Sequence, residues 1–200
     1  MNKFSCKNCG ECCKNFGSFS TLPIFLDEKE RYNQIAKEKG IFLEFVPENL
    51  WFDKISQKVV CLNWGMKGNP CKFLTKDNFC GIYKNRSLIC KAFPIEKIQE
   101  EGEIKLSCFM DCAKCDLNTL VHEGNLVKKE NIGWLIETFG KESFEARKEI
   151  EKRKKFIGAS LKKLKEEKKI DFIEMDFLDS KGIKVLDIFD FLEKLGIVYT

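Results

Sequence analysis

An α+β fold is predicted: an irregular, cysteine-rich domain with short hairpins, followed by a helical C-terminal extension. Three observations carry this expectation. All 11 cysteines of the 200-residue chain fall between residues 6 and 115. Short apolar or β-branched runs broken by Gly, Pro, Asn and Asp occupy residues 57–106, which is the pattern of strands and turns. Beyond residue 130 the apolar residues recur at helical spacing. Together these place a cysteine-rich domain over 1–116 and a helical extension packed on it over 117–200.

Each element follows from local chemistry. Residues 1–20 are rich in Cys, Asn, Gly and Ser and read as loop. Asp27 is the expected N-cap of a helix over 28–39, with Ile35 on its buried side and Gly40 as its stop. Residues 57–64 contain Val59 and Val60 and read as a strand, and Gly65, Gly68 and Pro70 follow as a turn cluster. Residues 71–74 and 79–83 suggest two short strands about a Lys76-Asp77-Asn78 turn. A short helix over 84–92 ends before Pro94. Residues 95–98 and 104–106 then form a hairpin about Glu101-Gly102. In the extension, Ile132, Leu135, Ile136 and Phe139 share one helix face, and Phe156, Ile157, Leu161 and Leu164 form a second stripe. Residues 183–195 are a third helical candidate, ended by Gly196.

Composition narrows the function classes. A chain that is 44% hydrophobic with 18 Phe can build a core without disulfide staples. An odd cysteine count also fits poorly with a fully paired disulfide framework. The N-terminal residues lack the apolar stretch of a signal peptide, and no run of 18 apolar residues could cross a membrane. A cytoplasmic location with reduced thiols is therefore expected, and so many reduced thiols suggest metal or cluster ligation. The alternative is intracellular disulfides of the hyperthermophile kind, with which the Lys/Glu/Ile-rich composition is compatible.

Net charge is +4 and unevenly spread. Residues 141–169 hold 12 Lys/Arg against 6 Asp/Glu, and residues 170–200 hold 3 Lys against 7 Asp/Glu. A basic segment beside an acidic one can pair with it. Interleaved Glu and few aromatics make 141–169 a solvated helix face rather than a nucleic-acid surface. No phosphate-binding G-x-x-x-x-G-K-[ST], dinucleotide G-x-G-x-x-G, zinc-protease H-E-x-x-H or nucleophile-elbow G-x-S-x-G occurs, so those chemistries lack support.

The strongest signal is Cys6-x2-Cys9-Gly10-x-Cys12-Cys13. Two thiolates three residues apart can bind one metal from a single turn. A following Gly lets the backbone reach positive φ and aim N–H groups at sulfur. Cys6, Cys9 and Cys12 also have the C-x2-C-x2-C spacing of iron–sulfur proteins. Cys13 either closes the first site or serves a second. Downstream stand Cys71-x8-Cys80-x9-Cys90 and Cys108-x3-Cys112-x2-Cys115. A hairpin would bring Cys71 near Cys80, with Cys90 on the short helix after it. Cys61, beside Val59 and Val60, reads as a small buried hydrophobe. Cys112 and Cys115 fit equally as ligands beside Cys108 or as spare thiols.

Three further residues bear on the site. Arg86 could stabilise a thiolate site or bond a carbonyl or carboxylate, the second being commoner for a lone Arg. Tyr83 reads as core packing, and the single histidine, His122, lacks a ligand partner at metal-binding spacing.

Residues 4–110 resemble the YkgJ-type CxxCxxCC cysteine-cluster family, a zinc- or iron-chelating domain. The resemblance is carried by Cys6-Lys7-Asn8-Cys9-Gly10-Glu11-Cys12-Cys13, Pro70-Cys71-Lys72-Phe73-Leu74, Cys80-Gly81-Ile82-Tyr83 and Arg86-Ser87-Leu88-Ile89-Cys90-Lys91-Ala92-Phe93-Pro94. Ser87 stands where the family usually has Pro, and Cys108 matches its further downstream cysteine. The resemblance implies metal binding through Cys6, Cys9, Cys12, Cys13, Cys71, Cys80, Cys90 and Cys108. Flagellin lysine N-methylases share the cysteine pattern, so an N-methylase-like enzyme is one alternative function, although residues 116–200 show no Gly-rich methyl-donor loop. A zinc-stabilised nucleic-acid module is the other.

Thiolates suit both zinc and iron–sulfur clusters. Zinc ribbons use two C-x2-C pairs, whereas Cys6, Cys9 and Cys12 form a C-x2-C-x2-C run, so the reading favours an iron–sulfur cluster over zinc. The C-x3-C-x2-C spacing of Cys108, Cys112 and Cys115 is also that of radical S-adenosylmethionine enzymes, but the residues after it cannot supply their barrel. The expected partner is metal ions, with no membrane; nucleic acid is disfavoured and belongs only to the alternative reading.

Overall fold

The computed structural model describes residues 10–14, 21–98, 104–106, 126–127, 132–175 and 184–200. Cys6, Cys9, Cys108, Cys112, Cys115 and His122 lie outside them, as do the Glu101-Gly102 turn and the expected boundary at 116/117.

The described elements form an α+β fold. The single turn α1 (Glu11–Lys14) starts after Gly10. Strand β1 (Thr21–Ile24) leads into helix α2 (Leu26–Glu38), which begins two residues before the expected start. Phe25 occupies the cap position, and the Glu28 carboxylate accepts its N–H at 3.1 Å. This reach-back satisfies the N–H of the cap residue itself. Asp27 instead accepts from the Arg153 guanidinium at 2.8 and 3.2 Å. The helix buries Glu28, Tyr32 and Ala36, at i, i+4 and i+8, and leaves Ile35 half-buried. Gly40, at φ +65°, ends it as expected.

Strands β2 (Phe45–Asp53) and β3 (Lys58–Lys67) form a hairpin. Asp53 is fully buried at its turn. Its carboxylate accepts from Ile55 N, Ser56 N, Ser56 Oγ and Asp171 N at 2.5–3.3 Å, which satisfies a buried charge with several donors. The strand expected over 57–64 runs on to Lys67 because its far half pairs with both β1 and β2.

A 3-10 turn (Tyr83–Asn85) and helix α3 (Leu88–Ala92) follow. Then come strands β4 (Ile95–Ile98), β5 (Ile104–Leu106) and β6 (Leu126–Val127). Helices α4 (Ile132–Phe139) and α5 (Lys141–Glu166), strands β7 (Phe172–Met175) and β8 (Val185–Asp187), and helix α6 (Ile188–Lys194) complete the chain. The third helical candidate is thus split: its first part is a strand, and Asp187 caps the helix by accepting from Phe189 N at 2.9 Å. The C-terminal extension is helical over α4, α5 and α6 and, among the described residues, also supplies the three strands β6, β7 and β8.

The chain divides into two compact units, each made of two stretches. One comprises Thr21–Gly68 and Arg153–Thr200. Its sheet runs β1-β3-β2-β7, with β8 parallel to β3 along residues 59–61. One apolar cluster joins Val60 to Ile157, Leu164, Ile170, Ile188, Phe191 and Leu192. These α5 residues belong to the stripe that the sequence marked. A second cluster holds Leu50, Val59 and Cys61, so Cys61 is a core side chain. Burial pushes its thiol up to about 12. Trp64 donates its indole N–H to Asp187 at 3.0 Å, and the Lys29 ammonium lies 3.0 Å from the Trp64 ring centroid.

The other unit comprises Met1–Ser20 and Asn69–Lys152. It holds α1, the turns over 69–87, α3, the antiparallel sheet β4-β5-β6, α4 and the first part of α5. Phe73, Ile82, Ala92, Ile95, Phe139, Phe144 and Ile150 are buried there. The Ser143 hydroxyl donates to Phe93 O at 3.2 Å.

Candidate metal centre

The centre is built from two short backbone turns. In the first, Gly10 sits at φ +74°, and its carbonyl accepts from Cys13 N at 2.9 Å and Lys14 N at 2.8 Å. This winds Cys12 and Cys13 into α1. Glycine is required here twice over. The φ is strained for any L side chain, and a Cβ would lie 2.7 Å from Asn78 O and 3.0 Å from Leu74 Cδ1.

The second turn is the expected hairpin, reduced to one antiparallel bridge between Leu74 and Cys80. Thr75 closes it. Its N–H donates to Phe79 O at 2.9 Å, its hydroxyl accepts from Phe79 N at 3.0 Å, and its carbonyl accepts from Asn78 N at 3.0 Å. Asn78 takes φ +63°, which Asn tolerates better than most residues. Gly81 N donates to Phe73 O at 2.8 Å. With so few residues between them, Cys71 and Cys80 end on the same short structure.

The two turns meet at Cys13. Its carbonyl accepts from Cys71 N at 2.6 Å. Its Sγ lies 4.0 Å from that of Cys12, and its thiol interacts with those of Cys71 and Cys80. Four predicted ligands from segments nearly sixty residues apart thus share one thiol neighbourhood. Cys90, on α3, is close enough to feel the charges of Cys12, Cys71 and Cys80.

These thiols are electrostatically unequal. Cys13 is pushed far above the ordinary cysteine value by its interactions with Cys12, Cys71 and Cys80 and by burial. The thiolates it bonds are favoured in turn. Cys80 drops to about 6 through Cys13, with help from the Ile82 N–H and the Arg86 charge. Cys71 is lowered by Cys13 and the Phe73 N–H, and Cys12 by Cys13 and, further off, Arg86. Cys90 goes the other way, up to about 12, because it is desolvated.

Arg86 makes both kinds of bond open to it. Its Nε donates to Tyr83 O at 2.9 Å, and its Nη2 lies 3.4 Å from the Glu142 carboxylate. The guanidinium carbon stands 3.8 Å from the Tyr83 ring centroid. Tyr83 is therefore not a core residue. It is 42% exposed and serves as a platform for Arg86. Lys91 also reaches Glu142, at 3.5 Å. Glu142 had no signal in the sequence, because it lies 56 residues from Arg86 on a helix of many glutamates.

Soft sulfur donors fit zinc or an iron–sulfur cluster and fit hard cations poorly. Among the described residues, no three Cys, His, Asp or Glu side chains already stand in metal-holding positions. Gathering the sulfurs about an ion would replace the thiol–thiol bonds on Cys13.

A glycine-tightened turn packed on a cysteine hairpin defines a thiol-rich chelating domain. The chain belongs to the CxxCxxCC family, described as "Putative zinc- or iron-chelating domain", whose family model matches residues 5–109. No curated protein and no solved structure matches the chain. No helix among the described residues is long and apolar enough to cross a membrane.

Proposed function

We propose that this is a cytoplasmic metal protein in which Cys6, Cys9, Cys12, Cys13, Cys71, Cys80, Cys90 and Cys108 ligate an iron–sulfur cluster in preference to zinc, in a structural or electron-transferring role. The observation that carries the reading is the bond from Cys71 N to Cys13 O, which seats the Cys71 and Cys80 hairpin on the turn of Cys12 and Cys13; Cys12, Cys71 and Cys80 are also shifted toward the thiolate form that metals require. The iron–sulfur preference rests on the Cys6, Cys9 and Cys12 spacing. The chelating role is assigned to residues 1–116, the span that holds every cysteine.

Anaerobic purification followed by a visible spectrum and assays of iron, sulfide and zinc tests this. The expected result is a coloured protein with iron and sulfide in equal amounts. A colourless protein with stoichiometric zinc would overturn the cluster, and paired thiols without metal would overturn the whole reading. Cys71→Ala should lose the metal, whereas Cys61→Ala should keep it.

A further inference from the structure

We propose that Cys13 and Cys71 are a redox pair: once metal is withdrawn, a small-molecule disulfide such as oxidised glutathione joins them in a bond that shuts the centre. The inference rests on the metal reading above and adds how that site is regulated.

The pair is defined by backbone geometry. Cys71 N donates to Cys13 O at 2.6 Å. With standard bond lengths this contact holds the two Cα atoms within about 6.5 Å of each other, inside the roughly 4.4–6.8 Å window that a disulfide spans. Both residues also stand in turns closed by their own bonds. Cys13 N donates to Gly10 O at 2.9 Å, and Cys71 O accepts from Leu74 N at 3.0 Å. A bridge between them therefore asks for side-chain rotation rather than backbone movement. Each residue is half-buried, so a small oxidant can reach its sulfur.

Two neighbouring thiols are worse partners. The sulfurs of Cys12 and Cys13 are 4.0 Å apart, yet successive Cα atoms across a trans peptide are fixed about 3.8 Å apart, below the window. Cys61 is sealed in the apolar core of the other unit.

The chemistry balances with one oxidant. A thiolate of the pair attacks a sulfur of oxidised glutathione. The glutathione S–S bond breaks, and one glutathione leaves and takes up a proton. The second thiolate attacks the mixed disulfide, forms the Cys13 to Cys71 bond and releases the second glutathione. Two protein thiols are oxidised and one glutathione disulfide is reduced. A sulfur held in this bond no longer has the thiolate charge that a metal binds. Metal and disulfide thus exclude each other at two of the predicted ligands. The bond also ties Met1–Ser20 to Asn69–Lys152, stretches of one unit that the chain otherwise joins only through the other.

The test uses the full chain, purified without oxygen, as wild type, Cys12→Ser and Cys13→Ser. Each is held in glutathione buffers of rising oxidised fraction, with and without EDTA. Free thiols are capped, and the unreduced digest is mapped by mass. With EDTA, wild type and Cys12→Ser should both give a peptide that joins Cys13 to Cys71. Cys13→Ser should instead accumulate glutathione on Cys71, because the thiol that would resolve it is gone. Without EDTA the bond should form at least about tenfold more slowly, since the metal holds both thiolates.

A different pairing as the main product, such as Cys71 with Cys80, overturns the inference. So does a chelated wild type whose Cys13 and Cys71 are still capped as free thiols in fully oxidised glutathione. Equal rates with and without EDTA in a loaded chain overturn the exclusion. If Cys13→Ser does not fold, the wild-type map decides alone. A chain that purifies without metal and still forms the bond refutes the metal reading and leaves the pairing standing, whereas a loaded chain that forms no bond after chelation refutes this inference alone.

Discussion

Cys80 and Cys61 are the same side chain in two media. Cys61 lies in a strand, clustered with Leu50 and Val59, where burial raises its thiol to about 12 and leaves it a small apolar group. Cys80 lies at a turn among other thiols and the Arg86 charge, and drops to about 6. The difference extends to the two units. The unit holding Cys61 has a sheet with apolar side chains from α5 and α6 packed against β3. The turns that hold Cys71 and Cys80 are fixed mainly by backbone hydrogen bonds and by sulfur. One region is held by excluding water, the other by hydrogen-bonded turns.

Removing the metal should separate the two regions most widely. Structural zinc contributes about 10–16 kcal/mol in small thiolate domains, so chelation removes the main support of the turns at 71–90. Hydrogen exchange should then show those amides losing protection while β3 retains its own. Equal loss in both places would erase the contrast.

The converse experiment strikes the apolar unit. Leu192→Ala empties a fully buried site beside Ile188 and Phe191 and should cost about 2–5 kcal/mol in chemical denaturation. Metal content should not change; a parallel loss of metal would show that the regions are not independent.

A smaller effect is expected at Gly10. Gly10→Ala places a Cβ against Asn78 O at a strained φ and should cost about 1–3 kcal/mol, with weaker metal retention. An unchanged protein would mean that the two turns need not touch.

The mildest probe is brief alkylation with iodoacetamide as the metal is withdrawn, before the turns at 71–90 open. Cys80 labelling should rise with pH through about 6, since the thiolate is the nucleophile and its form is favoured in the fold. The same depression means that any stability this thiolate supplies is present at alkaline pH and is lost as the pH falls through 6. Cys61 should resist labelling until the sheet unfolds. Mass mapping of the labelled peptides checks both, and early Cys61 modification would contradict its core position.

Much of this was legible in the sequence where the cause is local. The Lys76-Asp77-Asn78 turn, the Gly40 stop and the Ile157 and Leu164 stripe each follow from residues a few positions apart. The cysteine spacing was readable for the same reason, since thiols bunched within a short segment can reach a shared ion without help from distant chain. Contacts set by distant partners were not readable. β2 carries Pro47 and a positive-φ Asn49 and has no clean alternation, yet it pairs along β3. Residues 185–187 look helical until β3 supplies a parallel partner. Asp27 looks like a cap until Arg153, 126 residues later, takes its carboxylate. Glu142 had no signal for the same reason.

The parallel pairing of β8 with β3 has a consequence for synthesis. β3 is complete by residue 67, but one edge of residues 59–61 has no partner until residues 185–187 have been made. On the ribosome, that edge of the growing chain stays unpaired while more than a hundred residues are added. An open strand edge is where chains join one another. Nascent or truncated forms that stop before residue 185 should therefore be the ones that aggregate, whatever the thiols have bound.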